Sequence, residues 1–301
     1  MTIGRRFRSS SATAFLRPAL KRKNLVVITR ADVQRLLIQN NEAVGISFLH
    51  RGLIKNINAS SEVILSAGAI GSPKILQLSG IGPRKLLNDL SIPVIVDRPS
   101  VGGNLQDHYQ MRTIVELTRR DSMNDHVRNP FILMSMGLKW VFKGTGPLTV
   151  GAGNVGGGVR TKFSVNGQPD IQFNVMPLSA DRPGQPLHRY SGFTAAAWQC
   201  HPVSRGRSDI TSPDPSKDTR IQPNYLSEII DQQTLVEGIK ILRKIYKQPS
   251  FKNLWDREII PGNNYQTDKE ILNAAKIMGG TVYHYAGTCR MGVDDAAVVD
   301  H

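Results

Sequence analysis

Between Glu62 and Gly82 the hydrophobic pattern changes in a way that few architectures accommodate. Glu62-Val63-Ile64-Leu65-Ser66-Ala67 is an apolar run of the length of a fully buried strand. It runs into Gly68, and the residues after it read as a helix. Ser72 offers an N-cap oxygen and Pro73 fits the first helical position, where its missing N–H costs nothing. Ile75, Leu76 and Leu78 supply the apolar side, and Gly80 and Gly82 end the helix. Strand, glycine turn, helix and glycine-rich exit therefore follow one another within 62–82.

The flanking sequence extends this reading. Leu25-Val26-Val27-Ile28 is a short apolar run with strand character. Val44, Ile46 and Phe48 alternate with Gly45 and Ser47, the period-2 pattern of a half-buried strand, and Asn40-Asn41-Glu42 before them is turn chemistry. From about Gln110 to Pro261 glycine and proline are frequent and apolar runs short, as in an antiparallel sheet with long loops. Residues 231–246 predict a helix with Leu235, Ile239, Leu242 and Ile245 on one face. Thr267 and Glu270 form a capping box for a second helix, 268–278, closed by Gly279-Gly280, and a strand is expected over 281–285.

With 301 residues and 40% hydrophobic content the chain can bury a sizeable core. Two cysteines, Cys200 and Cys289, make neither a disulfide framework nor a four-ligand zinc site and fit a reducing, cytoplasmic setting. The net charge is +14, and eight basic residues with no acid lie before Asp32, starting with Arg5, Arg6 and Arg8. Three readings of that start compete: a nucleic-acid patch, which would want more aromatics than Phe7 and Phe15; an organellar presequence; and a solvated or ligand-facing loop of a larger fold. Arg5-Arg6 lacks the apolar stretch of a twin-arginine signal. The most apolar stretch, from Phe131 to Phe142, is too short to span a bilayer and contains Lys139, which leaves peripheral contact through basic surface as the only membrane expectation.

One literal G-x-G-x-x-G occurs, at Gly151, Gly153 and Gly156. A dinucleotide fingerprint needs a strand before it and a helix after it, and Gly157-Gly158-Val159 is a poor helix start, so the match is read as accidental. His108, His126, His188 and His201 show no metal-ligand spacing and are read as structural or surface residues, with no metal expected. Cys289 reads as a packing residue rather than a nucleophile.

Gly68-Ala69-Ile70-Gly71-Ser72-Pro73-Lys74-Ile75-Leu76-Gln77-Leu78-Ser79-Gly80-Ile81-Gly82 resembles the second signature of the glucose–methanol–choline (GMC) flavoprotein oxidoreductases. So do Asn104-Leu105-Gln106-Asp107-His108, Ser204-Arg205-Gly206, Gln222-Pro223-Asn224-Tyr225-Leu226 and Tyr283-His284-Tyr285-Ala286-Gly287-Thr288-Cys289-Arg290-Met291-Gly292. The resemblance runs over essentially the whole chain and looks closest to choline-dehydrogenase-like members. It implies an α/β fold: a partial, Rossmann-like FAD-binding domain from 1–109 and a returning segment 262–301, with an antiparallel-sheet substrate domain over 110–261. It also implies that family members carry a βαβ unit upstream and a second catalytic His or Asn downstream, so the chain is expected to be a fragment.

The implied activity is FAD-dependent oxidation of a primary alcohol, choline-like or other, to the aldehyde, with electrons passed to a quinone or another carrier. An oxidase using dioxygen and a non-catalytic remnant are the alternatives. His284 matches the family's base, and an imidazole suits removal of a hydroxyl proton near neutral pH. Tyr285 stands where many relatives carry proline. Val33 resembles the position whose backbone meets the adenine of FAD, and Ala67 and Gly68 end a strand at a turn where the cofactor chain passes closely. The expected partners are a small alcohol and an electron acceptor, with no nucleic acid.

Overall fold

The helix Ile229–Tyr246 buries Leu235, Ile239 and Leu242, as the spacing predicts, whereas Ile245 turns outward and Tyr246 takes the inner position in its place. The computed structural model describes residues 3–4, 7–151, 153–182, 184–251 and 253–300. Met1, Arg5 and Arg6 of the basic start lie outside the described residues. Two units are formed, one from Met1–Val26, Tyr109–His201 and Ile229–Thr281, the other from Val27–His108, Pro202–Glu228 and Val282–His301.

The first unit is built on an antiparallel sheet. Its strands run in the order Trp255–Ile260, Tyr109–Leu117, Gly192–Gln199, Ile171–Met176 and Val155–Val159, and the short strand Gly280–Thr281 also pairs with Tyr109–Leu117. The strand Val155–Val159 takes up part of the G-x-G-x-x-G match, so no helix follows those glycines. Gly192–Gln199 carries three alanines, Ala195, Ala196 and Ala197, which let the helix Ile229–Tyr246 approach closely. Gly238 marks the contact: a Cβ there would lie 2.9 Å from Ile171 Cδ1. The buried guanidinium of Arg243 bonds Glu258 on the edge strand at 2.6 Å, and the Tyr246 hydroxyl donates to the same carboxylate. The capping box of Thr267 and Glu270 forms as read, and the helix Asp268–Met278 buries Ile271, Ala274 and Ala275.

The second unit opens with a meander, Ala31–Gln39, Glu42–His50 and Leu53–Asn58. Its first turn uses Asn40 and Asn41, both at positive φ, as the twist of a two-residue hairpin requires. The helix Gly68–Leu78 begins five residues earlier than the Ser72-Pro73 signal predicts, with Ala67 as its cap. Pro73 lies inside it and cannot donate to the carbonyl of Ala69. The hydroxyl of Thr288 bonds that carbonyl at 2.6 Å instead, which makes an internal proline tolerable here. Leu78 joins Leu87, Ile92 and Ile210 in a small core. Gln77, fully buried, holds three segments together: Nε2 donates to the carbonyls of Val101 and Ser208 and to Asp209, and Oε1 accepts from the Ile210 amide.

Three expected strands differ. Residues 25–28 are irregular, with Val26 exposed. Residues 62–67 make no ladder among the described residues, and Ile64 is 77% exposed. An apolar run becomes a strand only where another edge takes its backbone groups. The strand expected over 281–285 ends at Thr281, because Tyr283 turns to φ +63. The segments also group differently from a division at 109/110 and 261/262. Residues 202–228 join the second unit through the Leu105–Gly206 bridge and the Gln77 bonds, and 262–281 join the first.

Candidate active site

Residues 104–108 and 284–288 are zipped together within the second unit. Gln106 and Ala286 exchange both backbone bonds, at 2.9 and 3.0 Å, and the Val282 amide donates to the His108 carbonyl. Gly287 has φ +93, and a Cβ there would lie 2.3 Å from the Asn104 carbonyl oxygen, so only glycine fits. The amide of Asn104 donates to the Gly287 carbonyl at 3.1 Å, and Arg205 Nε donates to the Asn104 amide oxygen at 3.0 Å. Arg205 is held in turn, since Asn224 bonds its carbonyl.

Asp107 is the hub of this arrangement. It is buried, and its Oδ1 accepts the backbone N–H of His284 at 2.8 Å while Oδ2 accepts the Tyr225 hydroxyl. A buried carboxylate with two donors fixes what it touches. Tyr283, held at positive φ immediately before His284, lifts the chain out of the strand direction. The His284 ring is therefore exposed rather than in the core, and its Nδ1 stands 3.2 Å from Nδ1 of His108. The two rings meet edge to face at 5.4 Å between centroids. A bond between two Nδ1 atoms needs one proton and one lone pair, so while it is made at most one of the pair is an imidazolium.

Two of the three residues expected to meet FAD line a cleft of about 560 Å³ on the same unit. Val33 lines it from the first meander strand and Ala67 from the cap of the helix. Gly68 follows at φ +79 with open space where a Cβ would project. Leu36, Ile46 and Ile75 give the cleft apolar walls, and Asp32 and Lys74 give it polar groups. Apolar walls with one carboxylate acceptor fit a flat heteroaromatic ring bearing an amine or hydroxyls, so the residues present fit the adenosine half of FAD. Thr288 ties the two places together through its bond to Ala69 at the helix start.

Of the other titratable residues, His126 lies 3.3 Å from Asp121 and His188 3.0 Å from Asp181. Burial pushes the Cys289 and Cys200 thiols up, which suits packing rather than nucleophilic work. Sequence reasoning placed His108 with the structural histidines and gave Asp107 and Tyr225 no role beyond their motifs. No local spacing could have joined them to His284, which is 176 positions beyond His108.

Family models described as GMC oxidoreductase match residues 2–110 and residues 202–301. Among curated proteins, the chain is 36% identical over 300 residues to an oxygen-dependent choline dehydrogenase of Paraburkholderia xenovorans, covering 98% of this chain and 52% of that protein. It is 38% identical to the oxygen-dependent choline dehydrogenase of Cronobacter sakazakii, covering 97% and 52%. It is 37% identical to an alcohol dehydrogenase [acceptor] of Pseudomonas putida, covering 97% and 53%. The chain thus spans about half the length of the curated relatives it matches. Among solved structures, pyridoxine 4-oxidase from Mesorbium loti superposes with a TM-score of 0.83 at 26% identity, covering 99% of this chain and 54% of that one. A formate oxidase from Aspergillus oryzae gives 0.83 at 25%, covering 90% and 52%.

Proposed function

The chain belongs to the GMC oxidoreductase family, whose cofactor is FAD, and from that membership we propose that its second unit carries the base of an FAD-dependent oxidation of a primary alcohol to the aldehyde. When bound, FAD supplies the two-electron acceptor for the hydride that leaves the carbinol carbon. The remaining work falls to the chain. His284 takes the hydroxyl proton at Nε2, the ring nitrogen turned away from His108. For Nε2 to carry a lone pair, the neutral ring keeps its proton on Nδ1, and His108 Nδ1 is placed to accept that hydrogen bond. Asp107 and Tyr225 hold the backbone so that the ring does not drift from substrate. Val33 and Ala67 border the space for the adenosine end, and Gly68 follows Ala67 at the helix start.

The observation that carries this reading is the exposed imidazole of His284 on a backbone anchored by a buried carboxylate, with its far nitrogen already partnered. In the same reading electrons leave to a quinone or another carrier, in keeping with the acceptor-type alcohol dehydrogenase among the relatives. Dioxygen is the alternative acceptor, as in the two oxidases among the structural relatives. The test is anaerobic titration of the FAD-loaded protein with choline and a series of primary alcohols, followed by quinone or dioxygen. Bleaching of the flavin absorbance by at least one alcohol is expected, with faster recovery on quinone than on dioxygen. Stoichiometric flavin that no alcohol bleaches would contradict the proposal and favour a remnant without catalysis.

A further inference from the structure

The helix Pro130–Leu138 and the helical turn Lys139–Lys143 that continues it belong to the first unit, in a stretch that neither family model matches. An apolar helix of a soluble fold normally turns its apolar side inward. This one turns Met136 inward but leaves a second apolar side facing out. Phe131, Met134, Leu138 and Phe142 recur at three- and four-residue steps along one side, and they are 76%, 58%, 50% and 75% exposed. Lys139 and Lys143 flank the same stripe. Asn129 caps the helix by accepting from the amides of Phe131 and Ile132, so the exposed residues sit on an ordered element.

The charge around this stripe has one sign. From His126 to Pro169 the sequence contains no acid and five Lys or Arg residues. The acid-free N-terminal segment meets the stripe's own turn, because Phe7 packs edge to face on Trp140 at 5.5 Å between ring centroids. At the N-terminal end of the helix, Phe131 and Ile132 border an open cleft of about 1050 Å³ that Arg119, Arg120, Arg128 and Arg189 also line. The two carboxylates in the cleft wall are engaged: Glu116 pairs with Arg257, and Asp125 accepts from Ser122 and pairs with Arg128. Among the described residues no carboxylate pairs with Arg119, Arg120 or Arg189.

We propose that this face is a peripheral docking surface for an anionic lipid bilayer, with the stripe of Phe131, Met134, Leu138 and Phe142 lying among the acyl chains and the arginine-lined cleft holding a phosphate-bearing headgroup. An exposed apolar stripe, an aromatic at the boundary and basic groups on the flanks are the elements of interfacial binding. Lys139 and Lys143 reach the headgroups while their stems stay along the apolar face. Among the described residues no helix is long and apolar enough to cross a membrane, so the contact lies in the plane of the interface. The proposal is independent of the reading of His284.

The test is cosedimentation of the full chain with vesicles of phosphatidylcholine alone and of phosphatidylcholine mixed with phosphatidylglycerol. The mixed vesicles should retain the protein and the neutral ones should not, and raised salt should weaken retention. Lys143→Gln should lower affinity about fivefold, the size expected for one basic residue near such a surface. The double substitution Met134→Ser and Phe142→Ser, at exposed positions, should lower it at least as much. Brominated acyl chains should quench Trp140, and Trp140→Phe should remove that quenching. Equal binding to neutral vesicles, or retention unchanged by Met134→Ser and Phe142→Ser, would overturn the proposal; the second result would mark a plain attraction to polyanions. A dimer in sedimentation velocity that these serine substitutions dissolve would also overturn it, in favour of a second copy covering the helix.

Discussion

His108 and His284 come together only because a buried aspartate and a bridge of two backbone hydrogen bonds join their loops. Their pairing divides the labour of the proposed base. In that proposal His284 presents Nε2, and His108 sets which nitrogen of His284 carries the proton. The same proposal makes His108 a positioning residue. His108→Ala removes one hydrogen bond to a group that becomes charged, so flavin reduction should slow between about fivefold and a hundredfold. His108→Asn, whose amide oxygen can accept from the same Nδ1–H, should recover part of the rate. Flavin content should be equal in all three proteins, as measured by absorbance after denaturation. If His108 only packs, both variants should lose stability together and the rate per flavin should stay at the parent value.

At the scale of elements, the first unit depends on a helix locked to its sheet edge. Arg243 and Glu258 are both buried, and Tyr246 donates to the same carboxylate. Burial, with Glu258 beside it, pushes the Tyr246 phenol well up, so it stays a donor across the working pH range. Removing one partner of such a pair strands a buried charge. Arg243→Met should therefore cost about 3–5 kcal/mol in urea unfolding, and adding Glu258→Leu should recover much of that loss. Additive losses would show that the pair is not coupled. This helix was legible in the sequence because its signals are local. Leu235, Ile239 and Leu242 repeat along one face, and the Thr267 and Glu270 box fixes the next helix start. Residues 62–67 were legible only as an apolar run. Whether a run becomes a strand depends on a neighbouring edge that may lie anywhere in a chain, and a window of residues carries no record of it. The start of the helix Gly68–Leu78 was misplaced for a related reason. Pro73 looks like a first-turn residue until Thr288, 215 positions later, satisfies the carbonyl it leaves open.

At the scale of the whole chain, the two family-matched stretches supply every segment of the second unit, while the sheet strands from 111 to 201 lie between them. The motifs that marked the resemblance, around Asn104, Arg205, Tyr225 and His284, are the segments that hydrogen-bond to one another. Their types were readable from the sequence; their meeting was not, since all of it but the Asn224–Arg205 bond rests on contacts across more than a hundred positions. The central claim is that His284 removes the hydroxyl proton of the alcohol. It is tested most directly by anaerobic stopped-flow reduction of FAD-loaded parent and His284→Ala protein with one alcohol, each rate normalised to bound flavin. A positioned base contributes typically ~10²–10⁴-fold, and the variant should be slower by about that factor while it keeps its FAD, because Val33 and Ala67 border the cleft proposed for the adenosine end elsewhere on the unit. An unchanged rate per bound flavin in His284→Ala would contradict the account.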